Sequence, residues 1–282
     1  MSIRIEVTDG VAVLTLDRPE RRNAFTGAMA RAIGTAYREW EADDAVRVIV
    51  LTGAPPAFCA GADIGGGDRT FDKPDSATFS ASPVDPPAFA LRKPVIAAVN
   101  GHAIGIGLTI AMQADIRIVA EDARYAIPQV RLGVLPDAMA HWTVAKVAGM
   151  SVAADILLSG RTFDGHEAVR LGLAGRCLPA AEVLPAALAM ARDMAVNVAP
   201  MSAALSKRLL WDTAIHGYEP GRVAELETES HLRVMGGPDA GEGMRARVDR
   251  REPVWSARLS RDWQELGTAD VTVSGVCRCL SQ

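Results

Sequence analysis

The carboxylate with the most suggestive surroundings is Asp137, in the stretch Leu132–Trp142 (LGVLPDAMAHW). It follows a proline and precedes a run of helical character, so it reads either as a helix N-cap or as an acid–base group. Aspartate is a favoured cap, and a carboxylate at a helix N-terminus tends to stay ionised. Two glycine-rich stretches could supply an electrostatic counterpart. In Ala57–Ile64 (AFCAGADI), the small residues Ala60, Gly61 and Ala62 let a ligand approach the backbone and leave N–H groups able to donate. In Asn100–Met112 (NGHAIGIGLTIAM), Gly105 and Gly107 precede an apolar helix whose first N–H groups have no partner within the helix. Taken singly, each stretch also fits a tight turn or a close helix contact. Taken together, two N–H donors aimed at one carbonyl oxygen would form an oxyanion hole, where losing one donor costs on the order of 10²–10³ in turnover. The glycine pattern lacks the third glycine of a dinucleotide fingerprint, and no Gly-Lys-Ser/Thr follows it, which excludes a Walker phosphate loop.

These candidates need elements to hold them. Alternation marks strands at Ile3–Val7 and Val11–Leu16, joined by an Asp9-Gly10 hairpin turn. A helix is expected from about Thr26, because Met29, Ile33, Tyr37 and Trp40 recur at helical spacing. Val46–Gly53, Lys93–Gly101 and Asp115–Asp122 are β-branched runs suited to buried parallel strands, and Gly105–Met112 suits a buried helix. Strand and helix alternate over roughly the first 200 residues, which predicts a layered α/β core. The Gly-, Pro- and Ser-rich segment Gly65–Pro87 is expected to be a long loop. Beyond Leu184 the pattern turns to helices alone. One has a stripe of Leu188, Ala191, Ala195 and Val198, and another is marked by Ala204, Lys207, Leu210 and Ala214. Lys207 and Arg208 read as a solvated face, and Gly221–Leu266 as a charged helical appendage better suited to packing on a neighbour than to forming a core.

Composition narrows the classes. The net charge of −4 argues against nucleic acid or an anionic membrane as the main partner. The most apolar stretch, Val95–Met112, is broken by Asn100, Gly101 and His102 and reads as core, not as a membrane span. The opening residues read as strand and not as a signal peptide, and Cys59, Cys177, Cys277 and Cys279 make no disulfide framework. The expected location is therefore the reducing cytoplasm. The five histidines, at 102, 141, 166, 216 and 231, show no metal-ligand spacing, so no metal is expected.

Four pieces, Leu14–Phe25 (LTLDRPERRNAF), Ala57–Ile64, Lys93–Gly107 (KPVIAAVNGHAIGIG) and Asp122–Asp137 (DARYAIPQVRLGVLPD), resemble the crotonase superfamily, also called enoyl-CoA hydratase/isomerase, in order and spacing. The resemblance covers about Ile3 to Leu266. It implies an α/β spiral of repeated ββα units over 1–200, a helical trimerisation segment over 201–266, and assembly as a trimer or a dimer of trimers; the tail over 267–282, outside the resemblance, is expected to be flexible. It implies an acyl-CoA thioester as substrate, with coenzyme A entering only as part of that substrate and no other cofactor. The oxyanion donors would be the N–H groups of Ala62 and Ile106, with Ala60 and Gly107 beside them. The backbone of Ala62, Asp63, Ile64 and Gly65 would meet the CoA moiety, and Arg22 would lie near its phosphates, although a solvated surface arginine is an equal reading.

This chain departs from the family pattern at the acid–base positions. Where family hydratases carry two glutamates, it has Thr109 and Gln129, and neither can act as a general base near neutral pH. Asp137 matches a third position, where several branches of the family place their decisive carboxylate. Double-bond isomerisation with Asp137 moving the proton is thus favoured. The alternatives are hydration by a non-standard route, a hydrolase of the same fold, and a catalytically silent CoA-ester-binding protein. Dehalogenation is disfavoured because only 5% of the residues are aromatic.

Overall fold

A computed structural model describes residues 2–65 and 79–264. Most of the expected Gly65–Pro87 loop, and the tail with Cys277 and Cys279, lie outside the described residues. The chain opens with the hairpin β1 (Ile3–Thr8) and β2 (Val11–Leu16). Asp9 and Gly10 have φ of 50° and 81°, the two positive values that a type I′ turn requires. Helix α1 (Gly27–Ala42) is capped by Thr26, whose Oγ1 accepts from Met29 N at 3.2 Å, and it buries Met29, Ile33, Tyr37 and Trp40.

From here the chain passes repeatedly between two sheets. Strand β3 (Val48–Gly53) joins the first sheet and β4 (Ala57–Cys59) the second; β5 (Val95–Val99) returns to the first and β6 (His102–Ile104) to the second, leading into α2 (Ile106–Ala111). Then β7 (Ile116–Ala120) and β8 (Tyr125–Ala126) repeat the step. Helices α3 (Ala140–Ala148) and α4 (Met150–Ser159), strand β9 (Thr162–Phe163), α5 (Gly165–Arg170) and β10 (Arg176–Leu178) complete the spiral. The sheets run β1-β2-β3-β5-β7-β10 and β4-β6-β8-β9. Strands β2, β3, β5 and β7 are parallel and almost wholly buried, which is why they read as continuous apolar runs; β10 pairs in parallel with β7 at the partly exposed edge of the sheet. Helix α6 (Ala180–Asn197) lies on this sheet through Val183, Ala187, Ala191 and Ala195, where alanine lets helix and sheet approach closely.

Helices α7 (Pro200–His216), α8 (Pro220–Val234) and α9 (Pro238–Asp249) follow, then a strap ending in α10 (Leu259–Asp262). The strap is tied back to the core: Trp255 Nε1 donates to Val196 O at 2.8 Å and Ser260 N to Asp44 Oδ1 at 3.1 Å. In α8 and α9 only Leu226, Glu242 and Ala246 are buried, as a charged appendage predicts. No helix among the described residues is long and apolar enough to cross a membrane.

Two expectations on α7 are corrected. Lys207 is buried, with its ammonium 2.8 Å from Asp115 Oδ2 and donating to Ala88 O and Lys93 O, whereas Leu210 is 68% exposed. Arg208 is half-buried and paired with Asp212 one turn along the helix. A lysine can sit inside here because a carboxylate and two carbonyls from distant parts of the chain receive its three hydrogens.

Candidate active site

Two neighbouring parallel strands, β4 and β6, each end in a small-residue turn. After β4, Phe25 forms a parallel bridge with Ala62, in which Phe25 N donates to Gly61 O at 2.8 Å and Asp63 N to Phe25 O at 2.9 Å. In that pattern the N–H of Ala62 points away from the bridge and takes no part in it. The loop is pinned from below. Ala60 N donates to Arg22 O at 3.0 Å, and fully buried Asn23 donates to Ala54 O and Ala57 O while accepting from Arg18 N. Arg22 and Asn23 both have positive φ, at 50° and 56°, so this clasp needs a conformation most side chains avoid. The Arg22 side chain is exposed. The Asp63 carboxylate pairs with Arg18 at 2.9 Å, which holds it below the usual carboxylate range, and it also accepts from Gly65 N at 3.1 Å. Ile64 is 64% exposed. Arg18 and Asn23 are not singled out from the sequence, although both lie in the Leu14–Phe25 element that carries the resemblance.

After β6, Gly105 turns the chain with φ 53° and its carbonyl accepts from Leu108 and Thr109. Ile106 is the first residue of α2, so its N–H has no partner within the helix. Gly107 brings this helix start against the β4 turn: a Cβ there would lie 2.7 Å from Cys59 Cβ and 2.5 Å from Cys59 O. The Cys59 thiol is buried, and burial pushes its pKa up to about 12. It is therefore a packed thiol and not a nucleophile.

Asp137 joins this pair of turns. Its Oδ1 accepts from Thr109 Oγ1 at 2.6 Å, a contact between the acid and one of the two positions that lack a glutamate. It does not cap a helix: α3 starts at Ala140 with Met139 at the N-cap, and no side chain caps it. The reason lies in the two residues that follow, since Ala138 and Met139 have φ of 47° and 63°. Two successive left-handed residues bend the chain away from the helix axis before α3 begins, which turns the carboxylate toward α2. Two bonds hold that bend, Ala138 N to Ala81 O at 2.7 Å and buried Gln113 Nε2 to Ala138 O at 3.0 Å.

Among the described residues no cation lies within ion-pair distance of Asp137. Burial raises its pKa, and the Thr109 hydroxyl and the nearby Gln129 amide partly offset the rise. Gln129 sits on the short 3-10 turn Gln129–Leu132 and is 8% exposed. Its amide faces Asp137 and the Cβ-free side of Gly105, yet it closes no hydrogen bond of ordinary length, so Nε2 and Oε1 are both buried and unpartnered.

The remaining candidates fall outside this cluster. His141 is exposed, and His102 Nδ1 accepts from Arg124 N at 2.9 Å, a structural role. Trp142 packs on Phe89 and Trp211 at centroid distances of 5.2 and 5.8 Å. A recess beneath the strap, lined by Arg47, Lys93, Met194 and Leu259, shares no residue with the Asp137 cluster.

Comparison with known proteins gives the family. The profile of the enoyl-CoA hydratase/isomerase family matches residues 6–258. A probable enoyl-CoA hydratase of Mycobacterium bovis is 34% identical over 260 residues, covering 91% of this chain and 98% of its own. The carnitinyl-CoA dehydratase of Proteus mirabilis is 32% identical over 264 residues, covering 91% and 99%. The crystal structure of a probable enoyl-CoA hydratase/isomerase from Mycobacterium abscessus superposes with a TM-score of 0.88 at 59% identity, over 91% of this chain and 99% of the other. The chain belongs to the enoyl-CoA hydratase/isomerase family.

Proposed function

We propose that this enzyme isomerises a double bond in an acyl-CoA thioester, with Asp137 moving the proton. The N–H groups of Ala62 and Ile106 receive the thioester oxygen as it gains charge, which makes the α-proton removable. Asp137 takes that proton from one carbon and returns it to another. The observation that carries this reading is the half-buried Asp137 carboxylate, with no cation among the described residues at ion-pair distance and held by Thr109 at the start of α2. A base poised for this work needs an ionised resting state and a raised affinity for a proton, and burial supplies the second. Coenzyme A enters as part of the substrate, with no further cofactor.

Hydration is the second reading, favoured by relatives whose names are hydratase and dehydratase. Turnover of a 3-enoyl-CoA and a 2-enoyl-CoA, by the wild type and by Asp137→Ala, separates the two. Isomerisation of the 3-enoyl ester is expected, with a loss of about 10²–10⁴ in the variant. Hydration that persists in Asp137→Ala overturns the mechanism. Binding of both esters without turnover points to a silent binding protein.

The same proposal takes 1–200 as the spiral core and 201–266 as a trimerisation segment, in a cytoplasmic protein. Leu210, Leu232, Met244 and Val248 of the C-terminal helices, and Met235 at the end of α8, are each 66–74% exposed, which suits a surface covered by other copies. The mass of the particle in solution decides between trimer and hexamer.

A further inference from the structure

Thr109 is fully buried on α2, and two acceptors stand within reach of its hydroxyl: Asp137 Oδ1 at 2.6 Å and Ile106 O at 3.3 Å. A hydroxyl carries one hydrogen and serves one of them at a time. While Asp137 is ionised, the shorter charge-assisted bond takes that hydrogen. A base that moves a proton within its substrate must also pass through a neutral state, in which its pull on the hydroxyl falls. Were the proton to settle on Oδ1, a buried threonine without another acceptor would hold an unsatisfied donor. Ile106 O is the other acceptor, and Oγ1 keeps lone pairs able to receive a carboxyl O–H.

We propose that Thr109 is a positioning residue that turns its single hydroxyl hydrogen between Asp137 Oδ1 and Ile106 O as Asp137 takes up and gives back the substrate proton. This rests on Asp137 being the base. The proton leaves the carbon next to the thioester, and its bonding pair becomes the enolate charge on the thioester oxygen. The proton resides on Asp137. It then leaves for the far end of the allylic system, where the returning electron pair forms the new C–H bond and the carboxylate is restored. The Thr109 hydrogen never leaves its own oxygen, so the cycle needs no other reactant.

The test is the pH profile of 3-enoyl-CoA isomerisation in wild type, Thr109→Val, Thr109→Ser and Asp137→Asn. Thr109→Val keeps the shape and removes the hydroxyl. It is expected to lower kcat by about ten-fold with KM held within about two-fold. It is also expected to move the acid limb to higher pH, because the lost bond favoured the ionised carboxylate. Thr109→Ser restores both. The limb reports Asp137, since the titratable neighbour from β4 is Cys59, whose thiol titrates far above it, and His141 on α3 is exposed. Thr109→Ala repeats the test if the valine is poorly accommodated.

An unchanged kcat and profile in Thr109→Val, a change confined to KM, or a failure of serine to rescue overturns the proposal. If those results accompany an inactive Asp137→Asn, the fault lies with Thr109 alone. If Asp137→Asn turns over like the wild type, the reading of Asp137 falls and the role of Thr109 falls with it.

Discussion

Asp115 and Asp137 are both carboxylates drawn into the interior, and the fold treats them in opposite ways. Asp115 accepts from Val95 N at 2.7 Å, from Trp211 Nε1 at 2.7 Å and from Lys207 Nζ at 2.8 Å, while Lys207 gives its other hydrogens to two carbonyls. Each group has its partner, and the result is a pin from the sheet to α7. Asp137 has one hydroxyl donor, no cation among the described residues, an unpartnered amide beside it and two left-handed residues after it. Burial with complete partners is what a structural ion pair looks like. Burial with incomplete partners, maintained by a disfavoured backbone, carries a cost that stability alone does not explain. Such inconsistencies concentrate at functional sites.

The largest effect on stability belongs to the saturated cluster. Lys207→Met would leave Asp115 charged and half-satisfied beneath α7, and a loss of about 3–5 kcal/mol is expected in denaturant unfolding at an unchanged m value. A loss below about 1 kcal/mol would mean that the pin is not where the fold keeps its polar stability, and the contrast with Asp137 would fail.

The same contrast separates what the sequence could reveal from what it could not. The Asp9-Gly10 hairpin and the buried stripe of α1 were legible because each depends on a local period or turn type. The turns that hold Ala62 and Ile106 were legible as small-residue turns after strands, but singly they fit plain packing turns as well, and only the family resemblance singled out their N–H groups. Lys207 was not, because its carboxylate partner is 92 positions earlier and only the folded core joins them. Nor was the true setting of Asp137. Proline before and helix after favour a cap, and nothing local announces that Ala138 and Met139 are left-handed; that bend is held by Ala81 and Gln113 from other segments. Gln129 could be recognised as a missing glutamate, but not as an amide left without partners.

Asp137 itself should show a stability cost whose sign is opposite to that of a paired acid. Its pKa is raised on folding, so the native state binds the proton more tightly than the unfolded chain does. Stability is therefore lost as pH rises from the unfolded carboxylate range through the folded pKa, and the full penalty is present above it. Asp137→Asn removes the charge while its side-chain oxygen can still accept from Thr109. The variant should be more stable than wild type at neutral pH, by less than Lys207→Met costs, and the difference should close near pH 3, below the unfolded value. Thermal midpoints at the two pH values check this. A variant less stable at neutral pH would show that the carboxylate is well partnered, and would place it with Asp115.

The smallest effect is the most discriminating. Gln129→Met replaces a buried amide by an apolar chain of similar length and should change unfolding free energy by no more than about 0.5 kcal/mol, or raise it, because only the long contact with Asp137 is lost while a donor and an acceptor without an ordinary hydrogen bond disappear. Were Gln129 a member of a saturated network, the same change would cost about 1–3 kcal/mol by orphaning its partners. A substitution that is neutral for stability yet alters turnover would mean that the amide's partner arrives with the substrate. A costly one would mean that the partner belongs to the protein, and Gln129 would then join Lys207 and Asp115 as scaffold.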